Sequence, residues 1–230
     1  VQPTGWSSVD TAEEIHQKLQ LAGINLSDDS SCCVATGYGR ISVPYADKTV
    51  TEITCHALGA VHLFQHPDLT VIDIGGQDTK IIQIEQGFVK DFIMNDKCAA
   101  GTGRFLEVMA NTLSLRPNEM FDLARLGSDT TISSMCTVFA ESEVIGLIGK
   151  GEPKENIAYA VVNSTIRKVA AQVSRMNGEM FTFCLTGGLC ECDYIREALS
   201  KELGKDVFSC PDARYAGAIG AALSAMKVRR

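Results

Sequence analysis

The sequence has no Walker A run and no Gly-x-Gly-x-x-Gly, so neither the P-loop nor the dinucleotide fingerprint is present. Gly37-Tyr38-Gly39 and Gly101-Thr102-Gly103 are too short to count as either. It has no Cys-x-x-Cys, which removes the zinc-ribbon and ferredoxin spacings. His16, His56, His62 and His66 match no zinc pattern; His62 and His66 are i,i+4 partners, but without His-Glu-x-x-His they read as solvated or packed. No apolar run reaches about 18 residues, so no transmembrane helix is expected. The opening VQPTGWSSVD lacks the basic region and apolar core of a secretory signal. Positive charge is in deficit: 21 Lys and Arg against 28 Asp and Glu give a net charge of −7. That argues against a nucleic-acid or membrane partner held by bulk electrostatics. Solenoid-period repeats and low-complexity linkers are absent too.

What remains is an ordinary globular composition, 45% hydrophobic and 21% charged over 230 residues, enough for one large domain or two small lobes. The nine cysteines are an odd number in a chain too large to need staples. They point to a reducing, cytoplasmic setting, with thiols free or spent on metal.

Strand and helix patterns alternate, which makes the class α/β. Helices are expected over Val9–Gly23, Val50–Phe64, Gly103–Leu115, Pro117–Leu126, Glu141–Gly149, Lys154–Met176, Tyr194–Leu203 and Ala216–Met226. Leu69–Ile74 is a continuous β-branched run, as in a strand buried on both faces. Thr79–Glu85 and Phe88–Met94 flank Glu85-Gln86-Gly87 as a hairpin. Shorter strands are expected at Cys32–Ala35, Phe181–Leu185 and Asp206–Ser209.

The stretch Val71–Gly103 organises the chain. Asp73-Ile74-Gly75-Gly76-Gln77-Asp78 ends a buried strand, where glycines let backbone amides approach an anion and an acid can hold Mg²⁺ or orient water. Thr186-Gly187-Gly188 repeats the strand-to-glycine turn before another helix. Two such turns suggest one nucleotide clamped between lobes, although glycine pairs also make plain tight turns. Cys98, in NDKCAAGTG, and Cys136, in Ser133-Ser134-Met135-Cys136-Thr137, each precede a helix whose N-terminus favours a thiolate. Two cysteines cannot complete a 4Fe-4S site, but a twofold dimer would supply four; ordinary free cysteines are the other reading. Cys190 and Cys192 read as a surface loop, Cys32 and Cys33 as strand core, and Cys55, Cys184 and Cys210 as lying in or beside apolar elements.

VIDIGGQDTK, MNDKCAAGTGRFLEVMA, CTVFAESEVI, TGG and AGAIGAA together resemble the activator ATPases of 2-hydroxyacyl-CoA dehydratases, relatives of the benzoyl-CoA reductase ATPase subunits. The resemblance spans about Ala35 to Met226. It implies an actin-like, sugar-kinase-like (ribonuclease H-like) two-lobed ATPase fold and a homodimer bridged by one 4Fe-4S cluster. Cys98 and Cys136 would be the cluster ligands. Asp73 and Gln77 would be catalytic, with Gly75 and Gly76 in the second phosphate motif, Gly187 and Gly188 at the adenosine and Arg214 near the adenine. ATP with Mg²⁺ would alter the angle between protomers and lower the cluster's potential. One electron would pass from ferredoxin or flavodoxin to a dehydratase or acyl-CoA reductase component.

The family's first phosphate motif, Asp-x-Gly-Ser-Thr, has no counterpart here. The resemblance therefore leads one to expect a first lobe without that hairpin, a sheet edge left unpaired and weaker nucleotide binding. Residues 1–68 are then the remainder of the first lobe, and 69–230 a second lobe with the phosphate-2, cysteine and adenosine motifs. A cluster-binding dimer that has lost ATPase activity, as scaffold or regulatory remnant, is the alternative function.

Overall fold

Ser7, in extended backbone, accepts the Asp10 amide on its hydroxyl at 3.2 Å and so starts α1 (Ser8–Leu21). In this computed structural model, which describes residues 1–3, 5–26, 28, 31–133, 136–177 and 181–228, Ala12 is the buried residue of that helix. β1 (Val34–Ala35) and β2 (Lys48–Thr49) form a parallel pair. The strand expected over Cys32–Ala35 is thus two residues long. Cys32 and Cys33 are half-buried rather than core, because the Cys33 amide is turned to the Asp47 carboxylate at 2.7 Å. Burial, with Asp47 adding to it, still pushes the Cys33 thiol up. α2 (Glu52–Phe64) is capped by Thr51 and stops at Gln65, which turns left-handed at φ 52° just before His66-Pro67. His62 and His66 are both exposed.

β3 (Leu69–Ile74), β4 (Thr79–Glu85) and β5 (Phe88–Asn95) form an antiparallel meander. All six residues of β3 are buried, as the β-branched run implies. Gln86 and Gly87 both take positive φ, the two-residue turn whose twist matches a hairpin. β5 is an open edge, with Phe88, Phe92 and Met94 exposed. α3 (Gly103–Thr112), α4 (Pro117–Ala124), α5 (Thr137–Gly149) and α6 (Lys154–Val173) follow. α5 begins at Thr137, a turn earlier than the apolar pattern predicts, with Cys136 as its N-cap; Ser134 and Met135 lie outside the described residues.

α6 buries Ile157, Val161, Val162, Ile166, Val169 and Val173, the stripe read from the sequence. Each such side chain contributes about 1.5–3 kcal/mol relative to exposure. It packs against α3, α4 and α5. β6 (Thr182–Gly187) runs parallel to β3, then come α7 (Asp193–Leu203), which also lies against α6, and β7 (Val207–Phe208), parallel to β6. The strand order is β5-β4-β3-β6-β7.

α8 (Ala216–Val228) packs on α2. Its small residues are explained there: a Cβ on Gly220 would lie 1.7 Å from the Cys55 carbonyl oxygen, so glycine is what lets the backbones approach. The chain has two compact units, Val1–Gln65 with Tyr215–Arg230, and His66–Arg214. The sequence reading divides it at 68/69 and assigns everything after to the second lobe; the packing of α8 on α2 instead returns the last helix to the first unit. Among the described residues no helix is long and apolar enough to cross a membrane.

Candidate nucleotide and cluster site

The site lies within His66–Arg214, and strand register builds it. Asp73 is the fifth residue of β3, paired across one edge with Lys80 and across the other with Thr186. Residues opposite one another on adjacent strands share a face, so three polar side chains converge. Thr186 Oγ1 donates to Asp73 Oδ1 at 2.8 Å. Lys80 Nζ reaches Asp73 Oδ2 at 3.4 Å and Asp78 Oδ1 at 2.7 Å. Lys80 is 1% exposed and Asp73 2%. A lysine this deep is tolerated only when paired.

The two carboxylates carry one more charge than Lys80 neutralises, and Asp78 Oδ2 is buried without a hydrogen-bond partner. This hard-oxygen set fits Mg²⁺; Asp73 and Asp78 are the residues that could hold it.

The glycine turns close over the ends of β3 and β6. The Gly75 amide donates to the Asp78 carbonyl at 2.9 Å, and the Gly188 amide to the Ile74 carbonyl at 3.1 Å. Gly187 sits at φ +83°, and a Cβ there would lie 2.5 Å from Ile74 O and 2.8 Å from Asp73 Oδ1. Gly75, Gly76 and Gly188 line one cavity of about 360 Å³, with Arg104, Asn111 and Arg116 on its helical side. Gln77 is exposed and does not line it. Neither does Arg214, which is exposed and held 3.4 Å from Glu191; Glu191 and Gly188 line an adjoining cavity of about 440 Å³.

The first turn of α3 is bonded to the phosphate-type turn. Gly103 donates to the Gly75 carbonyl at 2.9 Å and Arg104 to the Gly76 carbonyl at 2.8 Å. Those amides, otherwise orphans of the helix start, make the Gly75-Gly76 turn and the Cys98 loop one hydrogen-bonded piece. Thr79 and Asn95, opposite each other on β4 and β5, hold the rest of that loop. Thr79 Oγ1 donates to Gly101 O at 2.6 Å, and Asn95 Nδ2 to Cys98 O and Ala100 O at 2.9 and 3.0 Å.

Cys98 is half-buried, with Lys168 Nζ 3.8 Å from its sulfur. Cys136 is exposed at the N-terminus of α5. Glu143 of α5 takes the Ser133 amide at 3.0 Å. Glu141, in the second turn of α5, meets Thr112, the last residue of α3, at 3.1 Å. Cys136 thus stands at a helix start and Cys98 in the loop before the α3 N-cap Thr102; as soft donors the two are residues that could contribute thiolates to an iron–sulfur group, which needs about four.

The remaining thiols are differently placed. Cys184 is fully buried, and burial pushes its thiol up to about 12. Cys190 is 4% exposed, not in a surface loop as expected, because the turn after Gly187 folds back; burial pushes Cys190 and the α7 N-cap Cys192 upward. Sequence reading missed Lys80, Asp78 and Thr186 as site residues. The available signal was a lysine in the isoleucine-rich strand Thr79–Glu85, directly after the acid-threonine pair Asp78-Thr79.

Residues 4–225 match the model of the BadF/BadG/BcrA/BcrD ATPase family. The chain is 45% identical over 221 residues to the (R)-2-hydroxyglutaryl-CoA dehydratase activating ATPase of Acidaminococcus fermentans, covering 94% of this chain and 83% of that one. The crystal structure of component A of that dehydratase superposes with a TM-score of 0.88 at 42% identity, over 98% of this chain and 87% of that one. The activator of 2-hydroxyisocaproyl-CoA dehydratase from Clostridium difficile, with bound ADPNP, gives 0.85 at 34% identity, over 100% and 83%. The α/β, actin-like ATPase fold expected from the sequence is therefore the observed one.

Proposed function

Because the chain belongs to the BadF/BadG/BcrA/BcrD ATPase family, we propose that it is an ATP-dependent reductive activator. It takes one electron from ferredoxin or flavodoxin and delivers it to a 2-hydroxyacyl-CoA dehydratase or a related acyl-CoA reductase component. ATP and Mg²⁺ occupy the cavity between the Gly75-Gly76 and Gly187-Gly188 turns, near Asp73, with Gln77 and Arg214 closing on the nucleotide. Cys98 and Cys136 from each of two protomers hold one 4Fe-4S cluster. That cluster, when bound, supplies the one-electron couple.

The observation that carries this reading is the pair of bonds from Gly103 and Arg104 to the carbonyls of Gly75 and Gly76. A phosphate seated on the turn pulls on those carbonyls, and the pull reaches Cys98 through Gly101 and Asn95 without crossing a flexible linker. Nucleotide state and the cysteine loop are then mechanically one element. Asp73 is kept aimed by Lys80 and Thr186. The homodimer is supported by the exposed apolar face of α5, where Val138, Phe139, Ile145 and Ile148 follow Cys136.

The test is anaerobic purification with iron and sulfide analysis, followed by ATPase assay. About four irons per dimer, lost in Cys98→Ser and in Cys136→Ser, are expected, together with ATP turnover. An iron-free protein after anaerobic reconstitution would sink the proposal; iron without turnover would leave a cluster-binding dimer in its place.

A further inference from the structure

A separate cavity of about 470 Å³ lies between the end of β5, Ile132-Ser133 and the outward side of α6. Its charge is one-sided. Arg167, Lys168 and Arg175 line it and, among the described residues, no Asp or Glu does, in a chain where acids outnumber Lys and Arg 28 to 21. Among the described residues none of these three cations is in an ion pair; Lys168 points at Cys98 Sγ. An acid bonded to a lining residue is Glu143, whose carboxylate is taken up by the Ser133 amide and hydroxyl. Gln172 also lines the cavity; it is 5% exposed and its Oε1 is buried without a hydrogen-bond partner. A half-turn of that amide presents its NH₂ group instead.

Three cations around one concavity, two of them arginines outside any ion pair among the described residues, repel each other and focus a positive potential. A multiply charged anion relieves this, whereas a monoanion leaves most of the charge standing. Two guanidinium forks suit phosphate oxygens bidentately. Neither Cys98 nor Cys136 lines the cavity, so it is distinct from the cluster thiols, and it shares no residue with the cavity at Gly75, Gly76 and Gly188.

We propose that this cavity is a second anion site, taking a small, multiply charged phosphate-type oxyanion between Arg167 and Arg175, with the Gln172 amide at its floor. Bound there, the anion joins α6 to the loop that carries Cys98.

The test is calorimetric titration of the full chain with pyrophosphate in the presence of saturating ADPNP, which keeps the glycine turns filled. One pyrophosphate per chain is expected. Arg167→Gln and Arg175→Gln should each weaken it about tenfold or more, the loss of one charge-assisted pair. Both arginines are exposed, so neither change threatens the fold. Lys201→Gln, which removes an exposed cation outside the cavity, should bind as the unsubstituted chain does. Absent binding, affinity unchanged in both arginine variants, binding weakened equally in Lys201→Gln, or tighter binding of citrate than of pyrophosphate would each overturn the assignment.

Discussion

The Gly103 amide donates to the Gly75 carbonyl at 2.9 Å, joining the start of α3 to the turn that ends β3 across 28 residues of sequence. With Arg104 on Gly76, it makes the glycine turn the N-cap of the helix behind the Cys98 loop. The backbone turn takes the place of a side-chain cap: Thr102, in the capping position, makes no side-chain cap bond, its hydroxyl donating instead to the Ala99 carbonyl at 2.6 Å.

Gly187→Ala should be costly out of proportion to one methyl group. The added Cβ meets Ile74 O at 2.5 Å and Asp73 Oδ1 at 2.8 Å, and φ is +83°. A loss of about 1–3 kcal/mol is expected from the backbone alone, with further loss from displacing Asp73. Urea unfolding measures it; Gly188→Ala, with nothing within 4 Å of its Cβ, is the control and should change little.

Lys80→Met leaves Asp73 and Asp78 facing each other without their cation. Removing one partner of a buried ionic group costs about 3–5 kcal/mol. Adding Asp78→Asn should restore part of that, because the surplus charge falls by one. A double-mutant cycle in chemical denaturation reads the coupling; strictly additive effects would mean that the three groups do not interact.

Asn95→Ala removes two hydrogen bonds, to Cys98 O and Ala100 O. At about 1 kcal/mol each, the loop loosens while the sheet stays folded. Iron loss to a chelator from the reconstituted protein should quicken, and the melting temperature should fall only by a few degrees. Unchanged release kinetics would show that the loop is held by other means.

Cys184 gives the fold an alkaline dependence. Its thiol is pushed up from 9.0 to about 12 by burial, with Cys210 adding a smaller upward push. The unfolded chain releases this proton first, so the contribution is fully present below pH 9.0, falls above it and is gone by about pH 12. The slope in that window is about 1.4 kcal/mol per pH unit. Cys184→Ala should flatten the stability curve between pH 9 and 10.5 by roughly this slope relative to the unsubstituted chain; an identical curve would mean that the thiol titrates normally.

Much of the architecture was legible because its periodicities are local. The β-branched run at Leu69–Ile74 and the Gln86-Gly87 turn predict elements that the structure repeats, and the α6 stripe predicts the face that it buries. The α5 start was not legible: Val138 and Phe139 are apolar yet exposed in its first turn, so they break the pattern from which a helix start is read. Gly75, Gly76 and Gly188, grouped from sequence as turns about one nucleotide, line one cavity, since glycines after two parallel strands come to the same sheet end; Gly187, grouped with them, and Gln77 and Arg214, added by resemblance, do not line it.

By itself the sequence determined where the longer strands and helices lie, and the motifs that mark the family, because both are written in short-range spacing. Only the tertiary structure decided that Lys80 and Thr186 flank Asp73, since that depends on the register of β3 with two different strands. It likewise decided that Gly75 caps α3, and that Arg167, Lys168 and Arg175 share a cavity with no acid among its described lining residues. Register and packing are set by the sum of weak contacts over the whole sheet, and no local pattern carries that sum.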